Sequence, residues 1–223
     1  MSLQKSDSSL TPKTQSGFLV QTNDAIVGSV IFADAPCSGV GNVSGSVSGS
    51  AVTLNVASTG LSVILTGTLA PGQTSMSGNY TILSTGCSGP ESAPQLGAFT
   101  ANMVSPLSGN ITGTFVSNNG GATYAVTGQV AQGANTGDST TPLTGSLSFT
   151  GFCYATANIV GSISGTSVVM NLVNANGAQI GQVTGTSSLD GTLLSGKYQY
   201  LGLGAGAPKG CGGGGSGTFA FSL

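Results

Sequence analysis

The sequence predicts an all-β fold, an antiparallel meander of about 13–15 short strands that forms a sandwich or barrel from two tandem sequence repeats. Three observations carry that reading. Apolar residues recur with period two, as half-buried strands require, and no stretch shows a helical period. Short clusters of Gly, Asn, Asp, Ser and Pro separate the runs at hairpin spacing. The second half of the chain also repeats the first.

The clearest run is Ala51-Val52-Thr53-Leu54-Asn55-Val56, in which Val52, Leu54 and Val56 point one way and Ala51, Thr53 and Asn55 the other. Similar runs precede it at about 26–34 and 42–48, the second joined to it by Ser48-Gly49-Ser50. The run at 61–69 ends in Ala70-Pro71-Gly72-Gln73, whose Pro and Gly preset a turn, and runs at 75–84 and 96–104 follow. Two more strands, 107–116 and 122–131, flank Asn118-Asn119-Gly120-Gly121. After them come 142–150, 155–163 and 167–173, then 178–186 beyond Asn176-Gly177, 193–201 beyond Leu189-Asp190-Gly191, and 215–222.

The repeat is nearly ungapped. Gly28-Ser29-Val30-Ile31-Phe32 lies over Gly145-Ser146-Leu147-Ser148-Phe149, and 42–56 lies over 158–172. Leu65-Thr66-Gly67-Thr68 lies over Val183-Thr184-Gly185-Thr186, Ser77-Gly78-Asn79-Tyr80 over Ser195-Gly196-Lys197-Tyr198, and Gly97-Ala98-Phe99 over Gly217-Thr218-Phe219. The expected organisation is a flexible leader over 1–15 and one pseudo-symmetric β-domain over 16–223. Within it, repeat 1 covers about 26–104, intervening strands about 107–131, and repeat 2 about 142–223. Two small β-domains split near 132–141 are the alternative.

Cys37 matches Cys153 and Cys87 matches Cys211. None of the four stands in a C-x-x-C, so disulfides fit better than zinc or thiol exchange, and they place the chain in an oxidising, extracytoplasmic compartment. Four cysteines allow three pairings; the simplest staples each copy, Cys37 to Cys87 and Cys153 to Cys211, while both crossed pairings also respect the symmetry.

Composition removes whole classes of chemistry. The chain has 223 residues with 38 Gly, 32 Ser and 26 Thr, but only four Lys, no Arg, six acids, no His and no Trp. Only 4% of residues are charged, against roughly a quarter in ordinary soluble domains. No basic stripe exists for a nucleic acid, and without His the Ser-His-Asp triad and most zinc or iron sites are absent. No apolar stretch reaches the length of a membrane helix. The polar start has no apolar signal segment, and after a lipidated cysteine upstream it would serve as a tether.

The remaining catalytic candidates are slight. Ser195 and Lys197 share a strand face, Asp190 sits in a Leu-Asp-Gly turn, and five scattered acids, Asp24, Asp34, Glu91, Asp138 and Asp190, supply any carboxylate pair. None of these acids recurs in the other copy. Gly210-Cys211-Gly212-Gly213-Gly214-Gly215 lacks the Lys-Ser/Thr of a phosphate loop. Three N-x-S/T triplets begin at Asn42, Asn79 and Asn110 and matter only in a secretory route that glycosylates asparagine. No catalytic, cofactor-binding or metal-ligating residue emerges, and no cofactor is expected.

In its repeated Thr-Gly-Thr, Ser-Gly-x-Tyr and Gly-x-Phe elements the chain resembles Gly/Ser/Thr-rich secreted or lipid-anchored bacterial β-repeat proteins of unknown function, over roughly 26–223. The resemblance implies no active site. Gly-x-Leu-Thr-Gly-Thr-like strands also occur in avidin-type barrels, but their tryptophan-lined ligand shell is missing. The function expected is that of a non-enzymatic extracytoplasmic β-scaffold acting through its surface as a cell-envelope, matrix or adhesion component. The alternative is a binding module for a small apolar or sugar-like ligand in a barrel interior or inter-repeat groove. Weakly charged edge strands are expected to favour self-association.

Overall fold

The computed structural model describes residues 2–5, 13–32, 38–85, 95–202 and 211–223. Every regular element among them is a strand. In chain order these are β1 (Ser2–Lys5), β2 (Lys13–Thr22), β3 (Ala25–Phe32), β4 (Gly39–Ser48), β5 (Ala51–Ser58), β6 (Leu61–Leu69), β7 (Ser75–Thr85) and β8 (Gln95–Asn102). Their counterparts in the second half are β9 (Gly109–Ser117), β10 (Thr123–Gln132), β11 (Thr141–Thr150), β12 (Thr156–Ser164), β13 (Ser167–Val173), β14 (Gln179–Ser187), β15 (Leu193–Tyr200) and β16 (Gly215–Ser222).

Within the first eight and within the last eight, each strand pairs antiparallel with its sequence neighbours and the first with the last, which makes two up-and-down barrels. The chain divides accordingly into two compact units, Met1–Met103 with Asn135–Thr140, and Val104–Ala134 with Thr141–Leu223. The architecture is the expected all-β meander of tandem copies, resolved as barrels, with sixteen strands among the described residues in place of 13–15. The two additional strands lie at residues 2–5, within the expected leader, and at 13–22, which begins in it and runs into the expected β-domain. They are the first copy's versions of β9 and β10, so the strands read as intervening open the second repeat. In that alignment Ser16-Gly17-Phe18-Leu19-Val20-Gln21 lies over Thr127-Gly128-Gln129-Val130-Ala131-Gln132.

Closure differs between the copies. In the second barrel β9 pairs with β10 from Gly109 to Val116 and with β16 from Thr112 to Ser117. In the first, closure rests on the short β1, which among the described residues meets β2 at Ser2 and Leu3 and β8 from Ser2 to Lys5.

Alternation decides what fills each interior. Val43, Val47, Val52, Leu54, Val56, Val63, Leu65, Tyr80 and Phe99 are buried in the first barrel, and residues between them, such as Ser44, Thr53, Asn55 and Thr66, are exposed. In the second, Leu107, Ile111, Phe115, Leu143, Met170 and Val183 are at most 1% exposed. Each such aliphatic side chain contributes about 1.5–3 kcal/mol on burial, which is how a chain so poor in charge and rich in small residues holds its core.

The motifs common to both copies are packing devices. Gly185 of β14 faces Gly196 of β15, and Phe219 of β16 pairs with Gly196 and lies over both. A Cβ added at Gly196 would stand 2.1 Å from the Thr184 carbonyl oxygen and 2.5 Å from the Gly185 Cα. The strands therefore coil tightly at this point, and a phenyl ring covers the bare backbone. One step along, the relation reverses: Tyr198 of β15 lies over Gly217 of β16. Gly78 with Phe99 and Tyr80 with Gly97 repeat both pairings in the first barrel. Ser-Gly-x-Tyr and Gly-x-Phe are thus the two halves of one reciprocal aromatic-over-glycine lock.

Candidate functional site

Nine of the chain's thirteen Phe and Tyr residues lie beyond residue 104, and in the second barrel they form one cluster. Phe115 is fully buried at its centre, stacked on Tyr198 at 4.1 Å between ring centroids and surrounded by Phe149, Phe152, Phe219 and Phe221 at 5.4–6.2 Å. These rings fill the lumen at that level. Phe152 continues the cluster towards the surface, meeting Tyr124 at 5.0 Å, Tyr200 at 4.8 Å and Tyr154 at 6.3 Å. The outer rings are half-buried, and Tyr154 Oη donates to the Leu201 carbonyl at 2.6 Å.

Between Phe152 and Tyr154 stands Cys153, disulfide-bonded to Cys211 with Cα atoms 5.4 Å apart. The bond ties the β11–β12 connection to the segment before β16. Cys37 and Cys87 lie outside the described residues. The aromatic concentration was countable in the sequence, but its convergence depended on which ends of β9, β11, β15 and β16 meet.

Burial raises the Tyr198 phenol above its ordinary value near 10, reinforced by Tyr124 and Tyr200, and burial first, then Tyr200, raises Tyr154. A folded-state pKa above the unfolded one means that the stability linked to the neutral phenol is intact below pH 10 and drains away as pH rises through the shifted value. Alkaline titration is therefore expected to unfold the second barrel beyond pH 10, and Tyr198→Phe to move that transition upward. An unmoved transition, followed by near-ultraviolet circular dichroism, refutes the assignment.

The charged candidates do not converge. Ser195 and Lys197 are exposed on the outer face of β15, where Lys197 stands between Thr184 and Thr218 and Ser195 between Thr186 and Ala220. Asp190 is a turn former: its carboxylate accepts from Ser188 Oγ and from the Thr192 N–H and Oγ1, and these bonds lower its pKa. Because the folded-state value is depressed, the stabilisation is present above the ordinary carboxylate range and is lost as pH falls through the lowered value. Asp190→Ala is expected to lower the melting temperature at pH 7 and to leave it close to wild type near pH 2; an equal deficit at both would show that the carboxylate charge is not responsible. Asp24 lies in the β2–β3 turn, and Asp138 accepts from Thr136 Oγ1 at 2.6 Å. Asp34 and Glu91 lie outside the described residues. Among the described residues no cluster of three His, Cys, Asp or Glu side chains is placed to hold a metal.

The outer wall of the second barrel is a lattice of hydroxyls and amides. Ser222, Thr112, Thr127, Ser148 and Thr156 stand side by side across β16, β9, β10, β11 and β12, all exposed. Two shallow hollows open on it. One, of about 370 Å³, has Gly109 and Gly145 in its lining beside Asn110, Gln129 and Thr144. The other, of about 350 Å³, is lined chiefly by Gln182, Thr184, Lys197, Gln199, Ser216 and Thr218. Both offer neutral hydrogen-bonding groups, to which the second adds the cation of Lys197. No helix among the described residues is long and apolar enough to cross a membrane. No family model, curated protein or solved structure matches the chain.

Proposed function

We propose that the protein is a non-enzymatic β-scaffold working outside the cytoplasm through its surface, as a component of a cell envelope, matrix or adhesive layer. The observation that carries this reading is the prevailing division of chemistry between the two faces of the strands. Most apolar side chains occupy the interior, with Phe115 and its neighbours across the lumen of the second barrel, and the outer walls present rows of Ser, Thr, Asn and Gln almost without charge, interrupted by exposed aliphatics such as Val27, Val160 and Val169. Such walls meet polar polymers or other proteins by hydrogen bonding and shape, with little dependence on salt. The Cys153–Cys211 bond supports an oxidising compartment.

Two measurements test the proposal. Purified protein is expected to turn over none of a panel of chromogenic esters, glycosides and peptides, and a turnover abolished by Ser195→Ala or Asp190→Asn overturns the non-enzymatic reading. Thiol trapping in fractionated cells is expected to find Cys153 and Cys211 oxidised and outside the cytoplasm; a free dithiol in the cytosolic fraction overturns the location.

A further inference from the structure

The duplication supplies an internal control for the outer wall. In the second barrel Asn171, Gln182, Gln199 and Ser216 stand side by side across β13, β14, β15 and β16, and the next outward row is Val169, Thr184, Lys197 and Thr218. In the first barrel the same register holds Asn55, Ile64, Thr81 and Leu96, then Thr53, Thr66, Asn79 and Ala98. At matched positions the second copy thus has Gln182 for Ile64, Ser216 for Leu96, Thr218 for Ala98 and Lys197 for Asn79. Leu96 is 61% exposed, so the first barrel places an aliphatic side chain in water where the second carries a hydroxyl. The fold forms with either set, and the polar one needs another reason.

The exchanged residues are those that line the hollow of about 350 Å³, a volume within the range of ligand sites. Its walls are fixed before any ligand arrives. The Asn118 N–H donates to the Ser216 carbonyl at 3.0 Å and its side-chain amide to Ser216 Oγ at 3.1 Å, which fastens the β9–β10 turn to β16. On the other side Gln182 Nε2 donates to Asn171 Oδ1 at 3.1 Å. These bonds use amide donors of Asn118 and Gln182 and leave both side-chain carbonyls as acceptors, while Ser216 keeps its hydroxyl proton to donate.

Lys197 brings the one cation among the described residues of the second barrel, and the lining of the hollow holds no carboxylate. The one described acidic side chain of that barrel, Asp190, is engaged by Ser188 and Thr192 in the turn before β15. The Lys197 ammonium therefore stands among hydroxyls and amides with its charge unbalanced by the protein.

We propose that this hollow binds a sugar carrying a single negative charge, as a residue of an acidic polysaccharide. The anion would sit on Lys197 Nζ, and the ring hydroxyls would exchange hydrogen bonds with Gln182, Gln199 and Asn118 and with the hydroxyls of Thr184 and Thr218. The mixture of groups selects a sugar, because every ring hydroxyl both donates and accepts, and amides and hydroxyls answer both needs. The lone cation selects a monoanion. A phosphate group is ordinarily met by several donors or by the fork of an arginine, and this chain has no Arg. The inference rests on the reading of the protein as a surface-acting scaffold and names the kind of polymer that its second barrel meets.

The test is titration of the full 223-residue protein, followed by amide chemical shifts. The probes are short oligomers of galacturonate, glucuronate and mannuronate and a sulfated galactose oligomer, each beside its neutral form, the methyl ester or the unsulfated oligomer. Saturable shifts at Thr184, Lys197, Gln199 and Thr218 are expected with at least one charged oligomer at millimolar concentration, and uronate against sulfate identifies the anion taken. The neutral form is expected to bind about fivefold more weakly, the size of one exposed ion pair. Salt is expected to weaken the charged form and to leave the neutral one unchanged. Lys197 is exposed, so Lys197→Gln is expected to leave the circular dichroism spectrum unchanged and to lower the charged form to the affinity of the neutral one. Gln182→Ile with Ser216→Leu, the residues of the first copy, is expected to weaken both forms about tenfold, as the loss of two hydrogen-bonding groups implies. Absence of saturation by every charged oligomer, unmoved affinity in Lys197→Gln, or the same shifts from acetate or sulfate alone overturns the assignment. Release of reducing ends from a bound oligomer would leave the site standing and overturn the non-enzymatic reading instead.

Discussion

Gly196→Val is expected to prevent the second barrel from closing. The new Cβ would lie 2.1 and 2.5 Å from backbone atoms of β14 and 2.9 Å from the Phe219 ring. Only the ring can yield by rotating, so β14 and β15 must separate at their point of closest approach. Overpacking a core usually costs about 1–3 kcal/mol because side chains give way. Here the obstacle is main chain, and the expected loss exceeds about 4 kcal/mol, a large share of the stability of a unit this size. Phe219→Ala probes the same lock from the other side: it uncovers two glycines and leaves a cavity, for an expected loss of about 3–5 kcal/mol. Denaturant unfolding checks both. A Gly196→Val protein that melts within a few degrees of wild type would show that the close approach is not essential to the fold.

The second large effect is expected from Cys153→Ser combined with Cys211→Ser. The bond spans 58 residues, for which loop-closure entropy gives roughly 4 kcal/mol. For a unit of this length that corresponds to a fall in melting temperature of order 15 °C or more. The loss is expected to be larger than for an ordinary surface bridge because Cys153 lies between Phe152 and Tyr154, so freeing it loosens the outer half of the aromatic cluster. Reductant is expected to reproduce the effect in the wild type and to leave the double variant unchanged. A melting temperature indifferent to both would assign the outer cluster's order to ring packing alone.

How much of this was legible beforehand depends on distance along the chain. Alternation within Ala51–Val56 or Ser167–Val173 is a local signal, because each side chain's face follows from its immediate neighbours, and the strands appear where it placed them. The duplication was legible for the same reason. Its reach into β1 was not, since Ser2-Leu3-Gln4-Lys5 matches Thr114-Phe115-Val116-Ser117 in register and hardly in sequence; pairing with Phe99 and Phe219 relates them. Lys13 likewise stands where Tyr124 does, which hid the opening of β2 inside an apparent leader. The meaning of Ser-Gly-x-Tyr was inaccessible for a related reason. Its partner motif lies about twenty residues later, and nothing in either motif says that a ring will lie over the other's glycine. Asp190 was legible as a turn residue because its partners, Ser188 and Thr192, are two positions away.

Because every strand of the second barrel pairs with its neighbour in sequence, seven of its eight ladders join segments close along the chain, and the β9–β16 ladder brings together segments about a hundred residues apart. The topology therefore concentrates the loop-closure entropy in a single event. During synthesis β9 emerges first of its eight and β16 last, so a precursor whose β9 edge has no β16 to pair with precedes closure. Low charge gives that precursor little electrostatic protection against association. The rate at which β16 arrives, rather than the strength of any one hairpin, sets how long the chain is exposed.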